Sequence, residues 1–538
     1  MPGGPALPGA TPPVSRVEAP VTLKAYLMCV FAAFGGIFFG YDSGYISGVM
    51  GMEYFVRVME GGEPAAAAAG LAAWKKSLIT SILSAGTFFG ALAAGDLADW
   101  LGRRATVILG CAVFLAGVAL QTASAGLGLM VAGRLVAGLG VGFVSAIIIL
   151  YMSEMAPRKV RGAVVSGYQF CICLGLLLAS AVDYATQDRA DSGSYRIPIG
   201  LQMAWALILA VGLFLLPESP RFFVMKGDLD RAAATLARLR DQPAGSAYVR
   251  DELAEIVANH EHEMAVVPHG SYLQSWAMCF RGSVFESSSY LRRTVLGTSM
   301  QMMQQWTGIN FVFYFGTTFF QQLGVSENPF LISLVTTLVN TCSTPVSFYT
   351  MERLGRRTLL IWGALGMLVC EFVVAVVGTV RPDDDACVKA MIAFICLYIF
   401  FFATTWGPGA WVVIGEIFPL PMRAKGVALS TASNWLWNCI IAVITPYMVD
   451  ADKGDLGPKV FYIWGALCGC CFVYAYLLIP ETKGLTLEQV DQMLAETTPR
   501  SSARWVPRRT FAAGAEFKPD DNKAVGHVEK MNGHGSSA

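Results

Sequence analysis

Apolar residues along this chain gather into twelve stretches, beginning near Ala25, Leu78, Ala105, Gly128, Val164, Pro198, Arg293, Pro329, Leu359, Val388, Val427 and Val460. A hydrocarbon core about 30 Å thick needs roughly 20 mainly apolar residues per crossing helix, and each stretch is of that order. The pattern predicts an all-α membrane protein of twelve transmembrane helices. The first stretch, Ala25 to Val49, contains Gly35, Gly36, Gly40 and Asp42 and lacks the short cleavable design of a secretory signal, so it is expected to be a retained helix. Residues 1–24 are rich in Pro, Gly and Ala and read as a disordered tail, as does the polar stretch after Thr497.

The polar residues between stretches set orientation, because Lys and Arg are held on the cytoplasmic side. Arg103 and Arg104, Arg158 to Arg161, Arg353 to Arg357, and Arg423 with Lys425 all fall in even-to-odd connections, which share one side. Both termini are therefore expected to be cytoplasmic. The same connections reveal a repeat. Asp99-Trp-Leu-Gly-Arg103-Arg104 answers Glu352-Arg-Leu-Gly-Arg356-Arg357; Glu154-x-x-Pro-x-x-x-Arg161 answers Glu416-x-x-Pro-x-x-x-Arg423; Pro217-Glu218-Ser-Pro, followed by Arg221, answers Pro480-Glu481-Thr-Lys. The offsets are 253, 262 and 263 residues, as a duplicated six-helix unit requires. The chain thus divides into parallel halves at 25–217 and 293–480, a helical cytoplasmic linker at 218–292, and a C-terminal tail at 481–538. Parallel halves with a site between them near the bilayer midplane are a transporter arrangement. The paired acids and arginines are candidates for a cytoplasmic latch of charge-assisted hydrogen bonds, Glu154 with Arg161 and Glu416 with Arg423, that holds one access state.

Composition agrees with a chain solvated by lipid: 54% of residues are hydrophobic and 14% charged, with mean hydropathy +0.51. Net charge is zero, so nothing points to nucleic acid. Most of the 13 cysteines sit in apolar runs as small hydrophobes, and Cys387 falls in an expected outer loop. No catalytic pair, metal spacing or cofactor motif stands out, so no enzyme is expected.

Within the apolar stretches the exceptions are amides and one acid. Gln304, Gln305 and Asn310 lie close together, with Thr307-Gly308 able to loosen the helix; Asn434 and Asn438 are one turn apart on a shared face. Asp42 stands in an otherwise apolar helix, where a charged carboxylate costs about 2.5–3.5 kcal/mol and is a functional candidate by default. Arg134 is its candidate partner.

With these residues in view, the chain resembles the sugar porter family of the major facilitator superfamily over nearly all of residues 25–495. The matching signatures are Asp99 to Arg104, Gly133-Arg-Leu-Val-Ala-Gly138, Pro217 to Arg221, Gln304-Gln-Trp-Thr-Gly-Ile-Asn310, Gly407-Pro-Gly409 with Trp411, and Pro480 to Gly484. Gly35 to Gly44 and Asn434-Trp-Leu-Trp-Asn438 look most like fungal proton-coupled monosaccharide transporters. The resemblance implies the major facilitator fold and a hexose substrate. It implies sugar contacts at Gln169, Gln304, Gln305, Asn310, Asn340, Trp411 and Asn434, leaving Asn438 as helix glue. It implies proton coupling through Asp42 and Arg134, protonation of Asp42 releasing Arg134 as the carrier alternates. The family's Tyr-Tyr outer gate is here Tyr314-Phe315, which keeps one hydroxyl. The expected partners are a monosaccharide, protons and the lipid bilayer, with a monomer in the plasma membrane as the working unit. A passive facilitator, a carrier of xylose, galactose or galacturonate, and a sugar sensor are the competing expectations.

Overall fold

The computed structural model describes residues 22–61, 70–157, 160–266, 276–286, 289–322, 328–380, 384–419, 422–450 and 453–506. The tail before residue 22, the linker residues 267–275, the side chain of Arg161 and the tail beyond residue 506 lie outside them. Every regular element among the described residues is a helix. Ten are long and apolar enough to span a bilayer. The first half holds α1 (Leu23–Val49), α2 (Ala73–Leu101), α3 (Arg103–Thr122), α4 (Leu127–Met155), α5 (Gly162–Thr186) and α6 (Gly193–Leu215). In the second half are α9 (Arg356–Val380), α10 (Ala386–Glu416), α11 (Arg423–Val449) and α12 (Gly457–Leu478). Between them α8 is a pair, Pro329–Ser343 and Val346–Leu354, bent by 43°. The remaining expected crossing, α7, comes in two pieces, Tyr290–Trp306 and Ile309–Gln322. Its amides are what dilute its apolar character.

The α7 break has a local cause. Gly308 takes φ +80°, and a Cβ there would lie 2.7 Å from the Trp464 ring, so neither backbone nor space tolerates a side chain. The Thr307 carbonyl freed by the break accepts from Tyr398 Oη at 2.6 Å. Irregular backbone at membrane depth survives only where such partners exist.

Small residues let spans approach. A Cβ at Gly40 would fall 2.0 Å from the Ile172 carbonyl oxygen, and one at Gly138 2.3 Å from that of Leu83, which fixes α1 on α5 and α4 on α2. Across the halves, α2 packs on α11 and α5 on α8. Those two interfaces exchange under the internal repeat, as parallel six-helix halves demand. The linker forms helices Pro220–Met225, Leu229–Arg240 and Ala247–Val266 around a small core of Val224, Ala232, Leu236, Val249 and Ile256. Arg240 anchors it to α4 through the Met155 carbonyl at 3.0 Å.

Two details differ from the expectations. Cys387 lies at the start of α10, because Asp384 caps that helix earlier than the loop acids suggest. The chain after Thr497 stays docked as far as residue 506: Ser502 Oγ accepts from the Glu481 amide at 2.8 Å, and Trp505 Nε1 donates to Glu496 at 2.7 Å. Polarity alone concealed this, since the docking groups are hydrogen-bonding ones.

Candidate functional site: a carboxamide cavity between the halves

A cavity lies where α1, α5, α7, α10 and α11 converge. Gln169, Gln304, Gln305, Asn310, Tyr314, Trp411 and Asn434 all line it. Asn438, expected to act as helix glue, lines it too, as do Phe39 and Ser43. Asn340 is not among the lining residues; its amide is fully buried without a hydrogen bond.

Tracing each amide's partners separates those free to meet a ligand from those already engaged. Gln304 Nε2 donates to the carbonyls of Trp406 and Gly407 at 3.1 and 2.9 Å, and its Oε1 accepts from Asn434 at 2.9 Å. It clasps the π-helical turn Phe402–Trp406 of α10 to α7 and α11. Asn438 is likewise engaged: Nδ2 donates to Tyr314 at 3.0 Å and Gln305 at 3.3 Å, and Oδ1 accepts from Ser84 at 2.7 Å across the halves. Gln305 Oε1 also accepts from Asn310 Nδ2. That leaves Gln305 Nε2, Asn310 Oδ1 and Asn434 Oδ1 without partners among the described residues, where Gln169 holds only a weak 3.7 Å contact to Cys173 Sγ. Donors and acceptors are both present, without charge, which is what a ring of sugar hydroxyls needs. Trp411 stands edge-on to Tyr168 with ring centroids 5.8 Å apart and supplies a rigid apolar surface.

Asp42 precedes the cavity residue Ser43 and is fully buried, with neither oxygen hydrogen-bonded. Arg134 is also buried, but it does not form an ion pair with Asp42. Its Nε donates to the Ile79 carbonyl and its Nη1 to Tyr45 Oη, each at 2.6 Å, and Tyr45 in turn donates to Gln121 at 2.7 Å. Tyr45 lies one turn beyond Asp42 and intercepts the arginine. Tyr314 lines the cavity and accepts from Asn438 Nδ2 at 3.0 Å.

At the motif-bearing face each acid meets an arginine from the preceding motif of its own half, and the expected contact of Glu154 with Arg161 lies outside the described residues. Glu154 pairs with Arg103 at 3.1 Å and Glu416 with Arg356 at 2.9 Å, each within its own half. Gly102 and Gly355, at φ +97° and +87°, turn the chain so that the amides of Arg103 and Arg104 meet Glu218, and those of Arg356 and Arg357 meet Glu481, at 3.0–3.1 Å. Ser219 and Thr482 then donate to Glu154 and Glu416. Arg221 Nη1 bonds the Glu154 carbonyl at 3.0 Å. Arg423 places Nε on the Phe418 carbonyl at 2.9 Å. Equivalent atoms thus pair in both halves, which makes these motifs clamps inside each half. The sequence could not assign the partners because several arginines fall at the same span ends as each acid.

Contacts between halves use the first acid of each motif and charges outside the motifs. On the motif face Lys425 reaches Asp99 at 2.9 Å and Asp96 at 3.7 Å, while the Ala163 amide donates to Glu352 at 3.2 Å. On the opposite face Lys76 pairs with Asp450 at 3.1 Å, and Gln322 donates to Asp450 at 3.0 Å. Lys76, Asp96 and Asp450 escaped sequence reasoning because isolated charges at span ends resemble ordinary loop anchors. The halves are thus bridged on both faces.

Comparison with known families matches residues 28–494 to the family described as Sugar (and other) transporter. The chain belongs to that family. It is 46% identical over 498 residues to the major facilitator-type transporter ecdD of Aspergillus rugulosus, covering 90% of each chain. Identity is 42% to the probable glucose transporter rco-3 of Neurospora crassa, covering 87% of this chain and 79% of that one. It is 40% to the high glucose sensor RGT2 of Saccharomyces cerevisiae, covering 91% and 64%. Among solved structures, the proton:xylose symporter XylE bound to 6-bromo-6-deoxy-D-glucose matches with TM-score 0.74 at 24% identity, over 87% of this chain and 99% of that one. The fold is the major facilitator fold, and the family is one of transporters, not enzymes.

Proposed function

We propose that this protein takes up a neutral monosaccharide, a hexose such as glucose, by proton-coupled alternating access. The observation that carries the reading is the set of uncommitted amide groups on Gln169, Gln305, Asn310 and Asn434, converging on a cavity enclosed by both halves. No charged side chain lines that cavity among the described residues, which favours a neutral sugar over a uronate. Coupling is supported by Asp42: a buried carboxylate without a hydrogen bond is costly when charged, and a proton removes the cost. In this mechanism Asp42 is protonated while Arg134 rests on Tyr45. Proton loss toward the cytoplasm leaves a charge that draws Arg134 away, and that rearrangement reaches the cavity through Tyr314. One proton entering through 100 mV contributes about 2.3 kcal/mol, roughly fiftyfold accumulation. The reading places a monomer in the plasma membrane with the motif face and both termini cytoplasmic.

The test is sugar accumulation in proteoliposomes with and without a protonophore. Asp42→Asn should abolish uphill uptake yet retain exchange between sugar-loaded compartments. Protonophore-sensitive accumulation by Asp42→Asn would remove Asp42 from coupling. A parent that never concentrates sugar would be a facilitator, and a parent that binds sugar without moving it would be a sensor.

A further inference from the structure

A second cavity lies in series with the first. Moving along α1, the central cavity takes Phe39 and Ser43, and the second takes Gly44, Ser47 and Gly48. Along α5 the order is Gln169 and Ile172, then Ser180 and Asp183. Both cavities share Leu176 and Phe313, which form the constriction between them. The second therefore sits one to two turns nearer the face opposite the charged motifs.

Its lining is hydroxylic, with one acid. Ser47 bonds Thr317 at 3.2 Å across the halves, and Thr317 bonds Ser333 at 2.8 Å. Thr336 and Thr337 turn their hydrogens onto the Ser333 carbonyl, which leaves their oxygens able to accept. Asp183 is 2% exposed and its Oδ1 has no hydrogen-bond partner. The carboxylate fits there because residue 48 is glycine: a Cβ would fall 2.3 Å from Asp183 Oδ2. A buried acceptor lacking a donor, among hydroxyls with spare lone pairs, calls for a ligand rich in O–H groups.

We infer that this cavity is an outer subsite for the monosaccharide, in which Asp183 Oδ1 accepts a sugar hydroxyl before the sugar passes Leu176 and Phe313. The inference rests on the sugar-uptake reading above. Its role is kinetic: it captures sugar at the mouth and hands it to the amides.

Saturation-transfer NMR with glucose on the purified full chain tests it. Gln169→Ala/Asn310→Ala cripples the central cavity, and a weak glucose signal should survive there. Adding Asp183→Ala should weaken the surviving interaction by about tenfold, the cost of leaving a buried polar group unpaired. Asp183→Ala alone should lower the uptake rate at low external sugar by a similar factor while leaving equilibrium affinity for the central cavity within about twofold. If Asp183→Ala does not fold, Asp183→Asn carries the same comparison with a smaller expected loss. A residual signal indifferent to Asp183, or no residual signal when the parent binds glucose, overturns the subsite alone. Lost accumulation with an unchanged signal in Asp183→Asn would make Asp183 a proton site and also overturn it. If the parent binds no neutral monosaccharide, the function reading itself falls, and the subsite with it.

Discussion

Removing Lys76 or Lys425 should drive the carrier in opposite directions. Lys76 bridges the halves on one face through Asp450, with both side chains 11% exposed, and Lys425 bridges them on the motif face through Asp99, at 9% and 17%. Each is a charge-assisted hydrogen bond at low exposure, worth about 1.5–3 kcal/mol. Opening a face returns its pair to water, so the loss in a variant falls on the state in which that face is closed. Lys76→Ala should therefore favour opening of the face opposite the motifs by roughly 10- to 150-fold, and Lys425→Ala should favour opening of the motif face by a similar factor. Asp450 keeps Gln322 and Asp99 keeps Arg103 at 3.8 Å, which places the expected values toward the lower end. The assay is pulsed spin-label distance measurement between Asp188 and Val380 on one face and between Trp100 and Leu354 on the other, all exposed positions, after replacement of the exposed Cys342 and Cys470. Shifts of the same sign in both variants, or populations within about twofold of the parent, would refute the assignment of these pairs as the two face locks.

The amide inventory predicts that Asn310→Ala and Gln169→Ala each cost about 1–3 kcal/mol of sugar affinity while folding is retained; calorimetric titration checks this, and unchanged affinity in both refutes it. Gln304→Ala should instead lower the thermal midpoint first, because it unclasps the α10 turn from α7 and α11. Arg103→Ala strands a buried Glu154 and should cost about 3–5 kcal/mol of stability, partly restored in Arg103→Ala/Glu154→Ala; a double variant no better than the single would show that the clamp is not an ion pair in effect. Gly308→Ala should reduce transport and stability together, since a Cβ would overlap Trp464; wild-type turnover would mean that the α7 break can close.

Much of this was legible in the sequence, and the failures share one cause. Spans follow from apolar length, so ten of the twelve expected crossings meet the same criterion among the described residues, the bent α8 pair meets it as one span, and α7 fell short because of its own amides. The cavity amides were legible because carboxamides in apolar helices have few other uses. Asn438 was misassigned although its spacing from Asn434 put it on the same face; it both lines the cavity and joins Ser84. Partner choice was the illegible part. Glu154 is seven residues before Arg161 and fifty-one after Arg103, and only the turn at Gly102, with its left-handed φ, decides for Arg103. Likewise nothing local tells Arg134 to prefer Tyr45 over Asp42.

The distribution of polar contacts bears on how such a carrier moves. Within each half the motif ion pairs are deeply buried: Arg103 and Glu154 have side chains 0% exposed, Arg356 and Glu416 3% and 4%. Breaking such a pair would strand a charge at a cost of several kcal/mol, more than a coupled proton supplies at 100 mV. Between the halves the bridges are fewer, less buried and split between opposite faces, and each can be exchanged for water at a cost within reach of sugar binding and one proton. Motion is therefore confined to the surface between two rigid six-helix bodies. The amides of α7 sit beside the Thr307-Gly308 break, where the backbone lacks a continuous ladder, so a sugar bound at Asn310 acts where little structure has to yield.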